Sequence, residues 1–126
     1  MSGITRAGAH ICAVLSMLLI GLIGAHAAGA MAVGSCAAYG YAYDYKMLPD
    51  ARAVALKKCS GRRCHLVASM RHACGAFAID GHDACGPHGY AVAPLLGQAE
   101  NLALKYCYKY GGRDCVIRAF ACDGKG

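Results

Sequence analysis

The stretch Ala51-Arg-Ala-Val-Ala-Leu-Lys-Lys-Cys59 returns 48 positions later as Ala99-Glu-Asn-Leu-Ala-Leu-Lys-Tyr-Cys107. Five of the nine positions are identical, and Val54 matches Leu102 conservatively. A match at a fixed offset is typical of an internal repeat, in which each copy is one supersecondary unit. The spacing of apolar residues within each copy indicates a helix that leads into a cysteine. The chain is therefore predicted to contain a duplicated unit built around this helix.

The first 30 residues have the composition of a secretory signal peptide. One basic residue, Arg6, precedes an apolar run over residues 7–23, and small residues follow that run. This order is typical of a cleaved leader, and we expect cleavage after Ala27 or Ala30. An uncleaved membrane anchor is the alternative, because about 17 apolar residues approach the length of a membrane span. The absence of a basic flank after the run favours cleavage, which leaves residues 31–126 as one small domain.

The net charge and the expected export of the protein limit the classes of partner that it can bind. Without the leader the chain has 12 Lys and Arg against 7 Asp and Glu, a formal net charge of +5. The basic residues are scattered and form no aromatic-interleaved stripe of the kind that binds nucleic acid. We therefore expect a periplasmic or secreted protein with no nucleic-acid partner and no stable membrane insertion after cleavage.

Cysteine number predicts a disulfide framework. One cysteine, Cys12, lies in the leader, and an even number in a small exported domain is typical of complete pairing. Spacing alone leaves many connectivities open. Equivalence between the repeats favours two local bridges, a third between two cysteines 49 residues apart, and a fourth between the remaining two. These pairs are Cys59–Cys64, Cys107–Cys115, Cys36–Cys85 and Cys74–Cys122.

The order of patterns along the chain predicts an α+β domain. Tyrosines alternate with other residues at period two over residues 39–45, which is typical of a strand. Apolar strand patterns recur over residues 64–70, 74–79 and 115–122 and from Gly89, and the two helices cover about residues 51–59 and 99–106. Each half thus has the order strand, helix, strand, over about residues 36–79 and 85–122, with an extra strand between the halves. We expect one mainly antiparallel sheet with both helices on one face, held by disulfides.

These motifs as a set resemble a bacterial family, the domain of unknown function numbered 4189. The resemblance rests on Ala55-Leu-Lys-Lys-Cys59, Ala73-Cys-Gly-Ala-Phe-Ala78, Ala103-Leu-Lys-Tyr-Cys107, Cys115 and Cys122. It covers nearly all of the chain after the leader and implies a small exported protein. It implies no activity, substrate or cofactor. Cys36 and Cys85 depart from the family pattern as an added pair, and tyrosine or aliphatic residues stand where the family often has tryptophan.

The loop between the repeats contains closely spaced candidate ligands, and His65 and His72 lie nearby in sequence. His82, Cys85 and His88 offer nitrogen and sulfur at short spacing, as some zinc sites do. The loop supplies three ligands at most, and export favours oxidation of the thiol, so we expect no metal and no cofactor. A metal-dependent or other hydrolase that uses the His82–His88 loop is kept as the alternative function.

Tyrosine is the other conspicuous residue type. Tyr41 and Tyr90 are expected to pack within the sheet, whereas Tyr108 and Tyr110, in the longer second link, are candidates for contact with a partner. Together with His82 and His88 they form the predicted binding residues. We predict a small exported module that binds an exported protein or an anionic envelope component, with catalysis not expected.

Overall fold

The computed structural model describes residues 27–124 and contains six strands and two helices. In chain order these are β1 (Ala28–Val33), β2 (Tyr39–Tyr45), α1 (Leu48–Lys58), β3 (His65–Met70), β4 (Cys74–Ile79), β5 (His88–Ala93), α2 (Leu96–Lys109) and β6 (Val116–Cys122). The strands form two three-stranded antiparallel sheets, in the orders β2-β1-β3 and β5-β4-β6. The α+β class with two helices is confirmed.

The two sheets define two units with the same order of elements, strand-strand-helix-strand. The first unit covers residues 28–70 and the second covers residues 74–122. Their central strands, Ala28-Gly-Ala-Met-Ala-Val33 and Cys74-Gly-Ala-Phe-Ala-Ile79, are related by an offset of 46. The strand expected between the halves, β4, pairs with β5 and β6 and so forms the centre of the second unit. Its counterpart β1 occupies residues that were expected to span the end of the leader and the start of the domain, with no strand predicted there.

Side chains on each central strand alternate between two cores. In β1, Ala30 and Ala32 contact α1, whereas Met31 and Val33 face the other sheet. In β4 the same alternation directs Ala76 and Ala78 towards α2, and Phe77 joins the core between the sheets. The domain therefore has four layers: helix, sheet, sheet, helix. This differs from the expected single sheet with both helices on one face, because a central strand that is buried on both faces needs a covering layer on each side.

Small residues set the distance between each helix and its sheet. Ala51 and Ala55 of α1, and Ala99 and Ala103 of α2, are completely buried. These are the alanines that the two copies of the stretch share, and they lie on one side of each helix because residues four positions apart share a helical face. The helix backbones consequently approach the sheets closely.

All four predicted disulfides occur in the structure. Cys59–Cys64 and Cys107–Cys115 each connect the end of a helix to the strand that follows. Cys74–Cys122 joins two directly opposed residues of β4 and β6. Cys36–Cys85 joins the loop before β2 to the loop before β5. The cysteines that end the duplicated stretch are therefore anchors of equivalent local bridges.

The start of β1 is relevant to the two predicted cleavage positions. Most of the expected leader lies outside the described residues. Cleavage after Ala27 would leave β1 whole, whereas cleavage after Ala30 would remove half of this central strand. Both positions stay predictions. Among residues 27–124 no helix is both long and apolar enough to cross a membrane.

Candidate aromatic binding site

A cleft of about 610 Å³ lies beside β5 and the carboxyl-terminal half of α2. We call it the aromatic cleft, and it is lined by Gly86, Pro87, His88, Tyr90, Tyr106 and Tyr110. The lining residues come from the loop between β4 and β5, from strand β5 and from helix α2. The cleft brings the end of the His82–His88 loop together with three of the four tyrosines of the second unit.

The four aromatic rings of the cleft form two pairs, because each pair has the spacing that places side chains on one face of a strand or a helix. His88 and Tyr90 lie two residues apart on one face of β5, with ring centroids 6.5 Å apart and an interplanar angle of 26°. Tyr106 and Tyr110 are four residues apart at the end of α2, with centroids 6.4 Å apart and an interplanar angle of 18°. The cleft thus presents aromatic surface from two different elements.

The rings of the aromatic cleft remain accessible to solvent. Tyr110 is 64% exposed, and Tyr90 and Tyr106 are 39% and 36% exposed. His88 is fixed from beneath by the buried Phe77, whose ring it meets edge-on at a centroid distance of 5.9 Å. Aromatic rings usually contribute most of their area to a core or an interface. This exposed aromatic cluster therefore has the composition of a binding surface.

The first unit has a related but chemically different surface at the equivalent place. Its lining residues are Tyr39, Gly40, Tyr41, Tyr43, Lys58 and Ser60. Tyr39 and Tyr41 correspond to His88 and Tyr90 at an offset of 49, but Lys58 stands where the second unit has Tyr106. The tyrosine rings stack on one another at 6.1 Å, and Arg118 lies 5.3 Å from the Tyr39 ring centroid. The repeat therefore explains the position of the aromatic cleft, and sequence divergence explains its composition.

The four predicted binding residues fall into different places. His88 and Tyr110 line the aromatic cleft, whereas Tyr108 is exposed outside its lining and His82 pairs with Asp114. The helix was expected to end near Tyr106, but α2 continues to Lys109, and the positive φ of 97° at Gly111 follows its cap. This extension brings Tyr110 into register with Tyr106.

Two cleft residues were not among the predicted binding residues. Tyr90 was expected to be a packing residue, yet its ring is exposed on the edge strand β5. Tyr106 was not singled out for contact, although it stands four residues before Tyr110. The signals that could have identified them are the period-two spacing from His88 and the helical spacing to Tyr110.

The two loop histidines make separate contacts. His82 Nε2 lies 2.5 Å from Asp114 Oδ2, whereas His88 contacts the carbonyl of Gly86. Cys85, the third candidate ligand, is bound to Cys36. In the described part of the chain no group of three His, Cys, Asp or Glu side chains could hold a metal ion.

The His82–Asp114 pair is a surface contact that depends on pH. The hydrogen bond and charge of Asp114 raise the pKa of His82 above its ordinary value. The pair therefore contributes fully below the ordinary histidine pKa, and its contribution is lost as pH rises through the raised value. Because both side chains are more than half exposed, the contribution to stability is small.

Asp80 organises the loop that supplies part of the cleft lining. Its buried carboxylate accepts hydrogen bonds from the backbone amides of His82, Asp83 and Arg113, at 2.7, 3.3 and 3.1 Å. These bonds, above all that from His82, lower the pKa of the Asp80 carboxyl below its ordinary value. One carboxylate thus ties the loop before β5 to the link that follows α2.

Replacing Asp80 by asparagine is expected to lower the unfolding temperature at neutral pH, because the neutral amide is a weaker acceptor for these bonds. A lowered carboxyl pKa stabilises the fold above the unfolded-state pKa, and this stabilisation is lost as pH falls through the folded-state value. Thermal unfolding between about pH 2 and pH 7 measures this effect. The difference in unfolding temperature between D80N and the parent protein should become smaller as the pH falls. Asp50→Asn is the control, since Asp50 is exposed, and it should lower the unfolding temperature by less. If the difference in unfolding temperature between D80N and the parent protein did not change with pH, the carboxylate charge of Asp80 would not be the cause.

Comparisons with known proteins are in agreement with this fold. The NMR structure of Rv1813c from Mycobacterium tuberculosis is similar, with a TM-score of 0.54 and 23% sequence identity over 97% of this chain and 98% of that chain. At this identity the likeness concerns the fold alone. A search among curated proteins found no significant match. The family model "Domain of unknown function (DUF4189)" matches residues 28–122, which run from the first residue of β1 to the last residue of β6. The chain therefore belongs to the DUF4189 family.

Proposed function

We propose that this protein is an exported, non-catalytic binding module whose aromatic cleft holds an extended segment of a partner protein. The observation that carries the proposal is the exposure of the three cleft tyrosines together with His88. Tyrosine is enriched in protein interfaces and among the residues that dominate binding energy. Contiguous exposed aromatic surface is a common mark of an interaction site on a soluble domain.

The edge position of β5 favours an extended partner segment. In its sheet β5 pairs with β4 alone, so its other edge offers backbone donors and acceptors beside the aromatic cleft. His88 and Tyr90 come from the strand, and Tyr106 and Tyr110 come from the helix that packs against it. A segment added along this edge would gain backbone hydrogen bonds from the strand and side-chain contacts from the rings, as in strand-addition complexes.

The disulfides support an oxidising compartment for the module, and its net charge supports an acidic partner. Four bridges in fewer than 100 described residues fit an oxidising compartment, in agreement with the leader expected at the amino terminus. We therefore propose that the module acts in the periplasm or outside the cell. The expected net charge of +5 after cleavage favours an acidic partner by accelerating encounter.

Cross-linking from the cleft tests the proposal. A photoreactive phenylalanine analogue at position 110 should cross-link to one or a few exported proteins of the native host, and the same analogue at position 43 serves as the control. Tyr43 is suitable because it is 50% exposed but belongs to the first unit. Equal products from both positions, or none from position 110, would refute the cleft as the binding site.

Removal of the cleft tyrosines should weaken binding of the partner identified in this way. We expect Tyr106→Ala with Tyr110→Ala to raise the dissociation constant about 30-fold, since loss of interface hot spots costs about 2 kcal/mol or more. Isothermal titration calorimetry with the purified partner measures this change, and Tyr43→Ala should leave the constant unaltered. If cosedimentation with envelope polysaccharide, rather than protein binding, depends on the two tyrosines, the partner class proposed here is wrong.

A further inference from the structure

The Cys36–Cys85 bridge differs from the other three in its exposure. Both of its cysteines are exposed to solvent. Each other bridge contains at least one buried cysteine, namely Cys59, Cys74 and Cys107. Attack on a disulfide requires that a thiolate reach one sulfur along the line of the sulfur–sulfur bond, so access strongly affects the rate. Exposure therefore makes this bridge the most accessible of the four.

A recess beside the bridge adds to this access. A cavity of about 210 Å³ is lined by both cysteines, by Phe77 and His88, and by residues of the two adjoining loops. Its lining residues come from both units, mainly from their loops. An incoming thiol thus has space next to the sulfurs without displacement of the core.

The backbone at this bridge is held in an unfavourable conformation. Cys36 and Ala37 have φ values of 55° and 64°, two successive non-glycine residues in the left-handed region. This region is disfavoured for side chains that carry a Cβ atom, and it persists where the surrounding structure enforces it. The disulfide is one of the constraints at this turn, and its opening would release that constraint.

The bridge also has a distinct place in the fold. Among the bridges of residues 27–124, Cys36–Cys85 is the one that joins the two units, since Cys59–Cys64 lies in the first and the other two lie in the second. After its opening, the units would remain associated through the core between the sheets. Exchange at this site therefore opens the disulfide link between the units without removing a bridge inside either one.

We propose that Cys36–Cys85 is a thiol-exchange site for exported dithiols. The thiolate of the dithiol attacks the Sγ atom of either cysteine, a mixed disulfide forms, and the other cysteine leaves as a thiolate that takes a proton from solvent. The second thiol of the reagent then displaces the bound cysteine, so the bridge gains two electrons and the dithiol becomes a disulfide. The exposure of the Cys36–Cys85 bridge and its position between the two units do not depend on the aromatic cleft.

Timed reduction of the oxidised protein tests the proposal. Dithiothreitol at limiting concentration is followed by alkylation and peptide mass mapping at intervals. Cys36 and Cys85 should be labelled roughly tenfold or more faster than the other six cysteines, and a species with two labels should accumulate. Simultaneous opening of all four bridges, or earlier labelling of any other pair, would overturn the proposal.

A variant provides the matched control. The double replacement Cys36→Ala with Cys85→Ala should show no early labelling under the same conditions and should retain three intact bridges. If early labels appeared at other cysteines of this variant, the fast phase of the parent would report general loosening of the fold. In that case the exchange-site assignment would be wrong.

Discussion

Removal of the Cys74–Cys122 bridge by alanine at both positions is expected to lower the free energy of unfolding by about 4 kcal/mol. The bridge closes a loop with a sequence separation of 48 residues, so its loss restores much chain entropy to the unfolded state. Domains of this size have a total stability of about 5–15 kcal/mol. Urea denaturation followed by circular dichroism should therefore show a variant that is marginally stable or largely unfolded at room temperature.

The short bridge Cys59–Cys64 is the comparison for this measurement. Its sequence separation is 5, and the same entropy relation predicts a loss of about 2 kcal/mol when both residues become alanine. Each variant loses one disulfide bond and its two sulfur atoms, which makes loop length the main difference between them. Equal losses for the two variants, or a larger loss for the short loop, would contradict the entropic account.

Replacing Gly89 by alanine is expected to destabilise the fold by about 3 kcal/mol, and Gly40→Ala should have a similar effect. A Cβ atom at Gly89 would lie 2.3 Å from the carbonyl oxygen of Ala103 and 2.5 Å from the amide nitrogen of Cys107. At Gly40 the corresponding distances to Ala55 and Cys59 are 2.2 and 2.5 Å. The obstructing atoms belong to helix and cap backbone, so relief requires movement of the whole helix away from its sheet.

Gly97→Ala is the matched control for these two glycine variants. Gly97 lies in α2, and a Cβ atom there would meet nothing within 4 Å. Alanine at this position should stabilise the protein by up to about 1 kcal/mol through its higher helix propensity. Chemical denaturation of the three variants measures the contrast, and wild-type stability of Gly89→Ala would show that the helix–sheet distance is not fixed by this glycine.

The residue pattern determined most of the secondary structure. Five of the six strands and both helices were predicted from periodicity, and the duplicated stretch located both helices and their terminal cysteines. The strand β1 was missed because alanine, glycine and methionine have weak strand propensity and because the segment overlaps the end of the predicted leader. Its counterpart β4 was recognised through Phe77 and Ile79, larger residues that mark a buried strand.

The candidate site was only partly predictable. His88 and Tyr110 were selected as exposed loop residues, but their two partners lie in a strand and a helix. Whether Tyr90 is buried depends on β5 being an edge strand, and edge or centre cannot be read from period-two spacing. The contact between His82 and Asp114, 32 residues apart, likewise depends on how two loops meet.

The sequence by itself determined the duplication, the even number of cysteines over residues 31–126 and the small residues on each helix. These properties are local or periodic, and each follows from side-chain size and spacing. Only the tertiary structure decided that the strands form two sheets, that the units pack through Met31, Val33 and Phe77, and that four rings gather at one edge. Such features arise from burial and contact between segments distant in sequence, and no local spacing specifies which edge strand stays uncovered.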